Sequence, residues 1–246
     1  MIQDLHSHTY YSFCGKDAPE AIVEAAIDGG IELFGITDHN YGIGFQRLDV
    51  FYMDPKLFEG QDYGRCLRRY FDHINLIREK YAGRIRILRG IELCTLERSN
   101  LHLPAGSDIS YYDYCLIENV DCPDSITGGD LFGYAKTLGC PAGVAHTDLF
   151  SHAHKLGIPP LDYFSRMAEE NIFWEMNVSY DSIHGYHEHE YMKEFFSDPE
   201  KQETVRRSGV RLSVGFDGHK VEDYLPGRIK DYCEKITSMG IPLAFE

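Results

Sequence analysis

Nowhere among the 246 residues does a run of apolar side chains approach the roughly 18 needed to span a bilayer, so no membrane span is expected. Cationic side chains are scarce: 24 Lys and Arg stand against 39 Asp and Glu, a formal net charge of −15. Such a surface repels polyanions, which argues against long nucleic acid as a partner and for a small substrate held by local charge. The cysteines (Cys14, Cys66, Cys94, Cys115, Cys122, Cys140 and Cys233) are odd in number and never spaced as CxxC. That counts against a disulfide framework and a thiolate zinc knuckle, and leaves Cys94 and Cys115 as buried reduced thiols. The opening MIQDLHSHTYYS has no basic segment followed by an apolar one, so no export signal is expected, and a cytoplasmic location is. No glycine-rich phosphate loop follows the first strand pattern, which disfavours a nucleotide-binding sheet.

What the chain does contain is a near-unbroken alternation of strand and helix patterns. Strands are predicted at Ile2–His8, Leu33–Thr37, Ile85–Leu93, Tyr112–Glu118, Ala142–His146, Phe173–Val178 and Arg211–Phe216. Helices are predicted at Ala18–Asp28, about Tyr63 to Tyr81, Leu131–Leu138, Leu161–Glu170, Glu190–Arg207 with a break near Pro199, and Pro226–Met239. In the second, Leu67, Tyr70, Phe71, Ile74 and Ile77 repeat at helical spacing. Seven such alternations favour a barrel or a doubly wound sheet. No linker divides the chain, so 1–246 reads as one domain, with long loops at 40–62, 97–110 and 179–190 shaping the site.

Chemistry gathers at the strand ends. His6 and His8, at i and i+2 of a strand, face the same way. His39 follows a buried run, and Asp38 beside it either orients a ligand or caps the next loop. Glu92 lies in the apolar GIELC, where a carboxylate is costly unless it meets a cation or an arginine such as Arg89. His146 ends the fifth strand, and Asp217 and His219 repeat the i, i+2 geometry after the seventh. Barrel enzymes keep their sites at such carboxyl-terminal strand ends. Imidazole with carboxylate suits zinc, manganese or iron(II), and the number of donors implies two or three ions bridged by Glu92.

HSHTYYS (6–12), ITDHN (36–40), GIE (90–92), VAHTD (144–148) and SVGFDGH (213–219), in this order, resemble the motifs of the PHP (polymerase and histidinol phosphatase) family. The resemblance implies an α/β fold, a distorted seven-stranded TIM-like barrel, and a phosphoesterase that hydrolyses a small phosphomonoester through a multinuclear metal-activated water. It places His6, His8, Glu92 and Asp217 on a first metal, Glu92 and His146 on a second, and His39 and His219 on a third. Two departures stand out. Where relatives carry a further ligand after the first motif, the sequence reads Cys14-Gly15-Lys16-Asp17, which makes Asp17 either the substitute or a helix cap in a D-x-x-E box. After the fourth strand Glu118 is the expected replacement, with Asp121 behind it.

Asp217 and His146 are the expected catalytic residues, and Lys16, Asn177 and Lys220 the expected substrate-binding ones, with Arg228 a further basic candidate. The alternatives are a nuclease or nucleotide phosphodiesterase of the same fold, or a non-catalytic metal-binding module. His184, His187 and His189 read as a solvated loop, His152 and His154 as cleft or surface residues, His73 as a helix residue and Trp174 as core.

Overall fold

The structure, a computed structural model, describes residues 1–43, 62–97 and 101–246; the expected loops at 40–62 and 97–110 lie partly outside these. Eight short parallel strands are described: β1 (Gln3–Asp4), β2 (Leu33–Ile36), β3 (Arg86–Arg89), β4 (Glu92–Cys94), β5 (Cys115–Glu118), β6 (Ala142–Val144), β7 (Phe173–Asn177) and β8 (Leu212–Gly215). They form two sheets, β1-β2-β3 and β4-β5-β6-β7-β8. The count differs from the seven expected because the third predicted strand is divided after Arg89. Gly90 sits at the break, where an added Cβ would meet Thr37 Cγ2 at 2.5 Å and the Tyr114 ring at 2.8 Å, so only glycine fits.

Backbone bonds cross both seams between the sheets. Gly90 N–H donates to Ile36 O at 2.8 Å and Glu92 N–H to Asp38 O at 3.1 Å. On the other side Leu5 N–H donates to Val214 O, Asp217 N–H to His6 O and His8 N–H to Gly218 O, each at 2.8 Å.

The helices are α1 (Pro19–Asp28), α2 (Tyr63–Lys80), α3 (Leu131–Leu138), α4 (Leu149–Lys155), α5 (Pro160–Glu169), α6 (Glu190–Ser197), α7 (Pro199–Ser208) and α8 (Pro226–Ser238). The α4 helix was not expected. Asp148 opens it by accepting from Ser151 N–H at 3.0 Å, a cap that a seven-residue helix with little apolar periodicity does not advertise. Pro199 divides α6 from α7, with Asp198 capping the latter. Strands β2, β5, β7 and β8 are buried along their whole length, as parallel strands covered by helices are. Trp174 is core, packed edge-on to Phe150 and Phe195 and tilted against Phe164. Among the described residues no helix is long and apolar enough to cross a membrane.

Candidate metal centre

The carboxyl ends of β1, β2, β6 and β8 and the start of β4 converge on one buried cluster. His6 Nε2 lies 3.1 Å from His8 Nε2, 3.3 Å from Glu92 Oε2 and 3.5 Å from Asp217 Oδ1. His8 Nε2 lies 3.4 Å from Glu92 Oε2 and 2.9 Å from Asp217 Oδ1. Ligands about 2.0–2.1 Å from a tetrahedral ion stand roughly 3.3 Å from one another, so these four side chains already hold the spacing of one coordination shell.

A second group adjoins it. His146 Nε2 is 3.1 Å from Glu92 Oε1 and 3.9 Å from Glu118 Oε2, while His39 Nδ1 is 2.8 Å from Glu92 Oε2 and 3.7 Å from Glu118 Oε1. Glu92 thus faces both groups: Oε2 meets His6, His8 and His39, and Oε1 meets His146. Glu92 Oε2 and His39 Nδ1 are buried, face each other at 2.8 Å as an ion pair, and make no hydrogen bond of good geometry. The Glu92–arginine alternative fails: Arg89 forks onto Asp113 at 2.7 and 2.9 Å. Among the described residues every ion-pair partner of Glu92, Glu118, Glu175 and Asp217 is a histidine. Buried acids facing imidazoles, with orphaned ligand atoms between them, fit a divalent cation.

A layer of polar groups aims these ligands. His6 Nδ1 lies 2.7 Å from Glu175 Oε1 and His8 Nδ1 3.1 Å from Ser12 Oγ, which turns both Nε2 atoms inward. Asp38 accepts from the Thr9 and Ser12 N–H groups at 2.7 and 3.0 Å and from the Ser12 hydroxyl at 2.7 Å. It therefore orients a ligand through Ser12, one of its two expected roles. Asn177 Nδ2 donates to Asp217 Oδ2 at 3.3 Å, so it positions Asp217. Gly215 leaves room for the Glu175–His6 pair, since a Cβ there would meet Glu175 Oε1 at 2.1 Å. His146 and Asp217 adopt φ of 24° and 56°, a left-handed backbone that non-glycine residues hold only where their surroundings compel it.

The electrostatics follow from this crowding. Burial opposes the charged rings of His6 and His39, but Glu92 and its neighbouring acids outweigh it and hold both well above the usual histidine range. Burial likewise opposes a charged Glu92, and His39 and His6 reverse it, holding this carboxyl well below its ordinary range. Glu118 is raised, by burial first and then by Glu92.

Other expected positions stand elsewhere. Asp17 neither caps α1, whose N-cap is Ala18, nor enters the cluster; its carboxylate accepts from Val221 N–H at 2.8 Å, on the outside of the turn. Cys14 comes in instead, within reach of His8 and His39. Lys16 is exposed, Lys220 is paired with Glu222 at 3.0 Å and Asp223 at 2.9 Å, and Arg228 is held by Glu188. Lys16 meets the cluster only through its backbone, N–H donating to His219 O at 2.8 Å, and among the described residues the side-chain bonds of Lys220 and Arg228 go elsewhere. His152 is buried edge-on to Tyr163, His154 and His187 are exposed, and His73 Nδ1 meets the Tyr11 hydroxyl at 2.8 Å.

The sequence reading passed over Glu175, Asp181, His184 and Cys14. Glu175 carries the same signal as Glu92, an acid inside an apolar strand. His184, read as solvated, has Nδ1 2.7 Å from the buried Asp181 and Nε2 3.2 Å from Asp217 Oδ2. Burial opposes its charge, but Asp181 and Asp217 lift it to about 10. His189 packs parallel to His146 at 6.1 Å.

No curated protein matches the sequence. Among solved structures, it is similar to histidinol phosphate phosphatase from Lactococcus lactis subsp. lactis Il1403, solved with zinc, L-histidinol and phosphate. The identity is 17%, over 98% of this chain and 95% of that one, with a TM-score of 0.59. It is also similar to the metal-dependent tyrosine phosphatases YwqE from Bacillus subtilis and CpsB from Streptococcus pneumoniae. There the identity is 18%, over 95% of this chain and 86% of that one, with a TM-score of 0.47. The sequence pattern of the PHP domain matches residues 4–239. That match spans nearly the whole chain and every strand end described above: the protein belongs to the PHP domain family and is a hydrolase of the phosphoesterase class.

Proposed function

We propose that the protein is a phosphomonoesterase acting on a small phosphorylated substrate through two or three divalent ions, zinc, manganese or iron. The observation that carries this is the shell of His6, His8, Glu92 and Asp217, in which the two Nε2 atoms stand 2.9–3.5 Å from each other and from the Glu92 and Asp217 oxygens. These four would hold the first ion; Glu92, Glu118 and His146 the second; His39 and His219 the third. The presence of Glu118 beside His146 weighs against a decayed, non-catalytic site. The bonds across both seams support reading the two sheets as one distorted barrel, with β3 and β4 as halves of a single strand.

When bound, divalent ions supply an acidified water for attack on phosphorus and positive charge for its oxygens. The chain's own residues do the rest. Glu175 and Ser12 fix the ring orientation of His6 and His8. Asp217, steadied by Asn177, accepts the proton of the attacking water. His184, held by Asp181, keeps a proton on Nε2 for the leaving oxygen. With Lys16 and Lys220 turned away, the histidines at the rim take their place in meeting the phosphate's charge.

The test is phosphate release from p-nitrophenyl phosphate by protein supplied with manganese or zinc, against His8→Ala and against a chelated sample. Turnover lost in both is the expected result. Turnover that survives chelation refutes the reading.

A further inference from the structure

The segment from Thr9 to Asp17 folds tightly over the cluster. Ser12 N–H donates to Thr9 O at 3.0 Å, Tyr10 N–H to Asp17 O at 2.9 Å and Lys16 N–H to His219 O at 2.8 Å. The turn closes because residue 15 is glycine, whose Cβ, were there one, would lie 1.9 Å from Thr9 O. Closing it this way sends Lys16 and Asp17 outward and Cys14 inward. The Cys14 thiol is in no disulfide and lies beside His39 and His219. With His8 and His39 it forms a group of ligand atoms all within 4.8 Å of one another. The His8 ring stacks against His39 at 4.5 Å and against His219 at 4.8 Å, which places both outer imidazoles beside it.

We propose that Cys14 binds the third ion of this centre as a thiolate, together with His39 and His219, which makes the outermost position a sulfur-containing zinc site. This rests on the metal-centre reading above. Two imidazoles alone leave a divalent ion short of protein ligands, and Asp17, the acid of the turn itself, is engaged with Val221. A soft sulfur donor favours zinc over manganese, whereas the all-nitrogen-and-oxygen groups around Glu92 accept zinc, manganese or iron. Coordination replaces the S–H bond with an S–metal bond and releases the thiol proton to solvent.

Zinc-loaded wild type, Cys14→Ser and Cys14→Asp are compared by elemental analysis and zinc-edge X-ray absorption. Wild type is expected to show a sulfur neighbour at about 2.3 Å beside nitrogen and oxygen at about 2.0–2.1 Å. Cys14→Ser is expected to lose that sulfur neighbour and part of its zinc, and Cys14→Asp to keep the zinc with oxygen in place of sulfur. A wild type that holds zinc with no sulfur neighbour, or a sulfur neighbour that persists in Cys14→Ser, overturns the proposal and leaves the metal centre standing. A wild type that retains no zinc overturns both.

Discussion

Glu175 binds two parts of the cluster at once: Oε1 lies 2.7 Å from His6 Nδ1, and Oε2 accepts the His146 backbone N–H at 2.8 Å. One carboxylate thereby sets the ring of a ligand on β1 and the backbone of a ligand after β6. Losing its charge in Glu175→Gln is expected to weaken zinc binding about 10- to 100-fold. A competition titration with a chromophoric chelator measures this, with the unfolding midpoint in excess zinc as the control for folding. Unchanged affinity shows that the pairing does not serve the metal.

His184→Gln separates proton donation from metal binding. A general acid is worth about 10²–10⁴-fold, and a leaving group that needs no proton does not use it. The variant is expected to lose kcat by that order on an alkyl phosphate and little on p-nitrophenyl phosphate, with metal content unchanged. Equal losses on both substrates contradict the role.

Metal affinity is expected to depend on pH in a defined direction. In the ion-free site burial opposes protonation of His146 and His219. Glu92 overcomes it for the first, and Asp217 with Asp181 for the second, bringing each to about 9. An ion takes the neutral ring and so displaces a proton, which makes apparent affinity rise with pH through about 9. Titrations in buffers of different ionisation enthalpy count the protons released. Binding without proton release below about pH 9 contradicts this account.

Asp4 lends itself to a stability test away from the ligands' own atoms. It is fully buried, and burial pushes its carboxyl up to about 7 even though Phe216 N–H at 2.9 Å and the Tyr224 hydroxyl at 2.8 Å donate to it. Unfolded, it titrates near pH ~3.9. The folded state therefore holds the proton more tightly, and this stabilisation is full below about pH 4 and lost as pH rises through about 7. Asp4→Asn removes the dependence, so the variant gains on wild type across that window by up to about 4 kcal/mol. Denaturant unfolding at stepped pH reads the difference, and parallel curves rule it out.

How far the sequence foretold this depends on what fixes each residue. His6, His8, His39, Glu92, His146, Asp217 and His219 follow strand patterns, and a strand's two-residue period fixes which side they face. Glu118 was legible for the same reason. Asp17 and Cys14 lie in a turn, where the direction of each side chain is set by bonds from Tyr10, Lys16 and Val221, all invisible in a local reading. His184 was misread because its geometry comes from Asp181, three residues earlier, and not from any strand end. Glu175 carried the same signal as Glu92, an acid in a wholly buried strand, but lies outside the five motifs that drew the eye to the others.

The division at Gly90 gives the cluster one more property. His6, His8 and His39 extend from the three-stranded sheet, while Glu92, Glu118, His146 and Asp217 belong to the five-stranded one. Any ion shared between the imidazoles of the first and the acids of the second is a rivet through both plates. Stripping it leaves the seam to backbone bonds and to shared apolar packing, such as Leu5, Leu33 and Leu88 against Tyr114 and Leu116, so the empty protein is expected to loosen first along the line where its chemistry is done.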